Sequence, residues 1–421
     1  MFKITKESCF FGALILVAIT LPFSNLLVNT LSIWLMIFFW LINNSVKKKI
    51  ELLQKNKLIW LFISLFLMYV IGLTYGDLKL GLFEVEKRLS LLIFPIVLGT
   101  SPPISSKQFK NILFGFAITS IAISMACLVN TFYTNYTNGI SFNLNDRFFF
   151  TNLTENYGFH PSYFSTYLVF SIFIILKVGF QNDKVNKFVK LLLTLAIIYL
   201  VIFIFLLASR IGLISLLILS VCVLVIYFYK KRKLFYGLAI TLVFTCALLF
   251  SLQFFTEINL KFKGLIHIGT ENSEYSGSGI RLDLWQNTLV IIKENLLFGV
   301  GTGDLQPAIQ EIFKTKGFSD PYQNHLNPHN KDHLNSHNQF LDITATLGIL
   351  GILLFLLNVF YPFFEAFKRG NHLYIIFLTL FIFLCFVECS LATQKGVIFY
   401  AFFNSLFAFH SFKIANAHLI R

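Results

Sequence analysis

Apolar residues along this chain gather in long runs, broken by short polar connections, with neither the alternation of a half-buried strand nor the narrow stripe of a soluble surface helix. Runs long enough to cross a hydrocarbon core about 30 Å thick, roughly 20 residues each, fall at about 9–27, 29–43, 58–75, 89–104, 112–132, 160–180, 189–208, 211–229, 234–253, 341–364, 372–390 and 396–412. The pattern predicts an all-α, polytopic integral membrane protein with about 12 transmembrane helices. The second and fourth runs are the shortest. Basic clusters occupy every second connection: KKKIELLQKNK at 47–57, SKQFK at 106–110, NDKVNKFVK at 182–190, KKRK at 230–233 and FKRG at 367–370. The positive-inside rule puts these, and both termini, in the cytoplasm, and the alternate connections outside. The expected organisation is nine helices over 1–253, one large outer loop over 254–340, and three helices with a cytoplasmic tail over 341–421.

The stretch from Leu191 to Tyr229 contains one charged residue, Arg210, in LLASRIGLISLL. As a single helix it would be about 58 Å long, so it must turn back on itself. Lys190 and Lys230 at its ends are both cytoplasmic, and the turn that holds Arg210 then faces outward. Arg210 is either an arginine snorkelling from a helix end or a cation kept there to meet an anion.

The outer loop carries SGSGIRLDLWQNTLVIIKENLLFGVGTGD. Leu282, Trp285, Leu289, Ile292 and Leu296 recur at three- and four-residue steps, which predicts an amphipathic helix stopped by Gly299 and lying along the membrane surface. Arg281 falls in its first turn, where backbone N–H donors also favour an anion; an ordinary solvated arginine is the plain alternative. GVGTGD follows a helix and lacks a P-loop lysine, so it reads as a helix stop and turn.

Further on, HLNPHNKDHLNSHN spaces His325, His329, His333 and His337 four apart. Pro328 interrupts any one helix through all four, and no HExxH pattern accompanies them, so a metal site is not expected. His337 differs from the others because it directly precedes FLDITATLGILGILLFLLNVF, at the outer mouth of a membrane helix. An imidazole there can exchange a proton near neutral pH.

Composition narrows the classes. The chain of 421 residues is 56% hydrophobic and 13% charged, with mean hydropathy +0.74. Its net charge of +14 resides in the topological clusters, so nucleic acid is not an expected partner. The six cysteines (Cys9, Cys127, Cys222, Cys246, Cys385 and Cys389) lie in or beside apolar runs and suggest neither a disulfide framework nor a metal knuckle. Arg210, Arg281 and His337 were placed on the outer face by separate arguments. Two cations and one base there suit chemistry on a lipid-linked diphosphate, with no metal and no cofactor. A polysaccharide flippase is the reading from another class. It would distribute polar residues through several mid-membrane positions and show internal repeats.

At these residues the chain resembles the O-antigen ligase and polymerase family of bacterial polytopic membrane glycosyltransferases. The resemblance rests on ASRIG around Arg210, SGIRLDLWQNTL around Arg281, SHNQFLDITATLGILG from Ser336, and VECSLATQKGVIFYAFF from Val387, which holds Glu388, Gln394 and Lys395. It covers roughly 190–412. It implies a GT-C-like helical fold in the bacterial inner membrane and a metal-independent, inverting transfer at the periplasmic face. The donor would be a glycan on undecaprenyl diphosphate. The acceptor would be lipid A core for a ligase, another lipid-linked repeat for a polymerase, or a protein hydroxyl for a third relative; the ligase is preferred. By the same resemblance His337 activates the acceptor, and Arg210 and Arg281 grip the diphosphate. Asn338, Glu388, Lys395, Arg88 and His160 are candidate supporting residues, and Arg147, His160 and Tyr163 are candidates to line an acceptor groove. Anchoring at the interface by aromatic residues is the alternative for that last group.

Overall fold

In the computed structural model, residues 5–139, 146–180, 186–231, 277–315 and 335–411 are described, and every regular element among them is helical. The α-helices are α1 (Lys6–Thr20), α2 (Leu26–Ile42), α3 (Val46–Lys55), α4 (Lys57–Ile71), α5 (Leu78–Lys87), α6 (Ser90–Thr100), α7 (Ser106–Thr137) and α8 (Phe150–Thr154). They continue as α9 (Pro161–Ile174), α10 (Lys187–Leu206), α11 (Arg210–Lys230), α12 (Gly277–Glu294), α13 (Leu305–Thr315), α14 (Gln339–Lys368), α15 (His372–Val387) and α16 (Gln394–Leu406).

Six helices among the described residues are long and apolar enough to cross a membrane, or seven if α2 and α3, bent by 105°, count as one span. The chain is a multi-pass membrane protein, and among the described residues six or seven of the expected twelve spans are found. The run at 89–104 supplies only the 11 residues of α6, with Pro95 inside it, about half the length the core requires. The run at 29–43 ends in a sharp bend, where Asn44 adopts φ 54°. The apolar run at 234–253 lies outside the described residues, as do His325, His329 and His333.

The chain packs into two units, one formed by Met1–Leu21, Leu26–Ile112 and Gly269–Arg421, the other by Pro22–Asn25 and Leu113–Ile268. In the first unit α14 is central, packed against α4, α12 and α15. Asn358 in α14 donates to the Leu61 carbonyl of α4 at 3.0 Å and accepts, through its own carbonyl, from the Tyr400 hydroxyl of α16 at 3.0 Å. Tyr400 also stacks on Phe381 of α15, centroids 4.2 Å apart. In apolar surroundings such backbone-directed hydrogen bonds are retained because water offers no substitute.

Helix α14 is broken. Gly348 sits at φ 66°, ψ −161°, inside an otherwise helical run, and the break frees backbone groups at membrane depth. They are satisfied by the chain following α12: Val300 N–H donates to the Ala345 carbonyl at 2.9 Å, Gly301 N–H to Thr346 at 3.0 Å, and Ile349 N–H to Leu296 at 2.9 Å. A Cβ on Gly348 would stand 2.3 Å from the Leu297 carbonyl oxygen, so only glycine lets the two backbones meet. The same segment continues into GVGTGD, which is more than a stop and turn. Thr302 donates through Oγ1 to the Tyr69 carbonyl at 2.8 Å and through N–H to Gly72 at 3.1 Å. The Asp304 carboxylate accepts from Asp77 N–H at 3.0 Å. The turn therefore pins the α4–α5 corner.

Helix α12 forms as expected, and its apolar residues divide between the protein core and the exposed surface. Leu284, Ile291 and Ile292 are buried against Leu341 and Ala345 of α14 and Leu305 and Ile309 of α13, whereas Leu282, Leu289 and Leu296 remain exposed. Both sides of this helix are apolar, and the partner helix chose between them. The exposed side remains available to lipid.

Candidate active site

The site is built where the start of α14 meets the turn between α15 and α16. Ser336, His337, Asn338 and Gln339 are consecutive, and each reaches that turn. Ser336 Oγ lies 3.3 Å from Cys389 Sγ, His337 Nδ1 lies 3.3 Å from Glu388 Oε2, and Asn338 Nδ2 lies 3.5 Å from the Phe386 carbonyl. Gln339 Oε1 accepts from Leu391 N–H. Two sequence motifs about 50 positions apart are thus clasped side chain by side chain.

Local chemistry explains the posture of His337. Asn338 is the N-cap of α14, its Oδ1 accepting from Phe340 N–H at 3.0 Å and Leu341 N–H at 3.2 Å, which satisfies two donors that a helix start leaves open. His337, immediately before the cap, adopts φ 45° and donates its own N–H to Asn335 Oδ1 at 2.9 Å. A left-handed conformation costs a non-glycine residue about 1–2 kcal/mol. It is held because Ser336 and Asn338–Gln339 are fastened on either side. Backbone strain kept in this way accompanies functional positions more often than structural ones.

Arg281 of α12 completes the cluster, its Nη2 standing 3.2 Å from Glu388 Oε1. Glu388, whose side chain is only 7% exposed, therefore spends one oxygen on each partner, while His337 and Arg281 retain 25% and 31% of their side-chain surface. A carboxylate on Nδ1 favours the tautomer with the proton there, leaving Nε2 with its lone pair. The Arg281 guanidinium has further donors beyond the one that Glu388 uses.

Arg210 belongs to the second unit. The ASRIG motif is a helix start: Ala208 takes φ 46°, Ser209 caps α11 by accepting from Gly212 N–H at 3.4 Å, and Arg210 is its first residue. Ser165 Oγ of α9 donates to Ser209 Oγ at 3.0 Å, and a Cβ on Gly212 would lie 2.4 Å from Ser165 Cβ. The expected hairpin is present, with α10 and α11 joined by three residues.

The supporting residues fare differently. Asn338 is a cap that positions its neighbour. Lys395 is the second residue of α16 and partly buried. Arg88 is 3% exposed; it pairs with Glu84 and lies 4.2 Å over the Tyr69 ring, with the Asp342 carboxyl within electrostatic reach. Burial pushes Glu84 up, but Arg88, and after it Lys87, outweigh burial and hold its carboxyl below the ordinary range. His160 is exposed at the N-cap position of α9, beside Phe150 and Tyr163. The structure brings together His337, Glu388 and Arg281. Glu84 and Asp342 were not singled out from sequence, although Asp342 stands three residues into α14, where its exposure of only 5% marks an acid that must be compensated.

Residues 195–356 match the family model described as O-Antigen ligase. That match supports membership of the O-antigen ligase and polymerase family. The matched region holds Arg210, Arg281 and His337, whereas Glu388 lies beyond it. An uncharacterized protein of Haemophilus influenzae is similar to the chain, 23% identical over 382 residues, covering 86% of this chain and 88% of its own length. Members of the O-antigen ligase family are glycosyltransferase-like enzymes, ligases and polymerases.

Proposed function

We propose that this protein transfers a whole glycan from undecaprenyl diphosphate to an acceptor hydroxyl at the periplasmic face of the bacterial inner membrane, most readily as an O-antigen ligase acting on lipid A core. The observation that carries this reading is Glu388, which holds an imidazole by one oxygen and a guanidinium by the other. The acceptor oxygen attacks the anomeric carbon of the sugar attached to the diphosphate, from the face opposite the leaving group, so that configuration inverts. Its proton passes to Nε2 of His337, while Glu388 steadies the imidazolium formed at Nδ1. The bond from the anomeric carbon to the phosphate oxygen breaks, and the lipid diphosphate departs with the electron pair. Arg281 neutralises the charge that grows on it, and the family resemblance assigns Arg210 to the diphosphate as well. The guanidinium supplies positive charge of the kind a metal ion would otherwise supply, in keeping with a metal-independent reaction.

The test is reconstitution with purified lipid-linked glycan, with and without lipid A core. Conjugates formed only with core identify a ligase. Lengthened chains without core identify a polymerase. Movement of intact lipid-linked glycan across the bilayer with no new glycosidic bond would overturn the proposal in favour of a flippase.

A further inference from the structure

The second unit contains a polar cavity of ≈390 Å³, near the lower end of the range for small-ligand sites. One wall is the end of α7, where Asn130, Thr131, Thr134 and Asn138 share a helix face. The other wall is the segment that follows, which contributes Arg147, Asn152, Glu155 and Asn156. We propose that this cavity is a saccharide-binding subsite that holds one or two sugar rings by their hydroxyl groups.

The lining decides the ligand class. Four carboxamides each offer a donor and an acceptor, which matches the paired hydrogen-bonding capacity of sugar hydroxyls. Thr131 and Thr134 already spend their hydroxyl protons on the carbonyls of Cys127 and Asn130, at 3.0 and 2.9 Å, so each keeps lone pairs for an incoming O–H. One cation and one carboxylate cancel, which leaves no net field for a phosphate. An acyl chain would strand every one of these polar groups.

The far wall is built in advance. Leu153 and Thr154 are buried, the Thr154 hydroxyl donates to the Phe159 carbonyl at 2.7 Å, and Phe148 packs edge-on against Phe132, centroids 4.8 Å apart. A preformed wall spares the ligand the cost of ordering it. The location also fits. The 32 residues of α7 extend about 48 Å, well beyond a hydrocarbon core of about 30 Å. Its basic SKQFK start is assigned to the cytoplasm, so the Asn- and Thr-rich end projects into water on the outer side.

This inference rests on the glycan-transfer reading, in which two sources of sugar meet the protein: the donor glycan and the acceptor. The experiment measures binding to the full-length His337→Ala protein in nanodiscs, so that turnover plays no part. The probes are the oligosaccharide cleaved from its lipid diphosphate and the delipidated core oligosaccharide, each followed by saturation-transfer NMR and calorimetry. One of them should bind, identifying the source, and the paired Asn152→Ala/Asn156→Ala exchange, at exposed positions, should weaken its Kd at least tenfold. In otherwise unaltered protein the same exchange should raise KM for that substrate by a similar factor. Binding of neither sugar, or equal binding with and without the two asparagines, would overturn the subsite. Should sugar bind at the asparagines while the unaltered protein forms no glycosidic bond, the transfer reading falls and the subsite stands.

Discussion

His337 Nδ1 and Glu388 Oε2 stand 3.3 Å apart across 51 positions of sequence, and the second oxygen of the same carboxylate faces Arg281 at 3.2 Å. In the proposed mechanism Glu388 positions both a base and a cation. Glu388→Gln keeps an acceptor for Nδ1–H but loses the charge that stabilises an imidazolium. Transfer should fall about 100-fold, chiefly in kcat, within the range for general-base assistance of about 10²–10⁴. A glutamine variant as active as the parent would remove Glu388 from the mechanism.

His337→Ala should lower transfer by about 10²–10⁴-fold while membrane insertion and elution on size exclusion are retained. His325→Ala and His329→Ala should stay within a factor of two. Activity should also survive chelators. Equal losses at all three histidines, or inhibition by a chelator that zinc reverses, would point to a metal site.

Arg281→Lys is not a conservative change here. A guanidinium can hold Glu388 with one edge and a diphosphate with another, whereas an ammonium has no such fork. Arg281→Lys should raise donor KM at least tenfold, and Arg210→Ala should remove about 2–4 kcal/mol of transition-state stabilisation. Initial rates against donor concentration decide both. Lysine rescue to full activity would reduce Arg281 to a simple positive charge.

Gly348→Ala tests the broken helix. Its Cβ would meet the Leu297 carbonyl at 2.3 Å at a φ of 66°, and relief of that clash would separate backbone groups that cost several kcal/mol each when unpaired in lipid. The folded yield should collapse, as measured by fluorescence-detected size exclusion after heating. Gly12→Ala, with nothing within 4 Å, should leave the melting temperature unchanged or slightly raised.

Glu84 ties stability to pH. Burial raises its carboxyl, but Arg88 foremost and Lys87 after it hold it below its ordinary value of 4.5. The folded protein then binds fewer protons than the unfolded chain across that interval, so stability rises with pH. The contribution is complete above about 4.5 and is lost as pH falls through the lowered folded value. Glu84→Gln should flatten this acid limb and, by leaving Arg88 buried without its carboxylate, cost about 3–5 kcal/mol at neutral pH. Chemical denaturation in detergent at several pH values measures both effects.

Much of the architecture was legible residue by residue. The lone Arg210 between Lys190 and Lys230 predicted a hairpin, and α10 and α11 form it. His337 was separated from its three companions by the membrane helix that follows it, and the cap at Asn338 is what sets it apart. The stripe read for α12 divides in the structure: Ile292 is buried, whereas Leu282, Leu289 and Leu296 stay exposed, and Leu284 and Ile291 outside the stripe are buried. Periodicity tells only that a helix has an apolar side. Which of two apolar sides is buried depends on the shape of its neighbour.

What the sequence by itself determined is the helical, multi-pass character of the chain, because long apolar runs in lipid leave the backbone no option but internal hydrogen bonding. Tertiary structure alone decided that Glu388 would join His337 to Arg281, and that the break at Gly348 would be filled by the chain after α12. Those contacts bridge 51 and 107 positions and leave no local period behind. They exist because buried polar groups must find partners, and the fold determines which partners lie within reach.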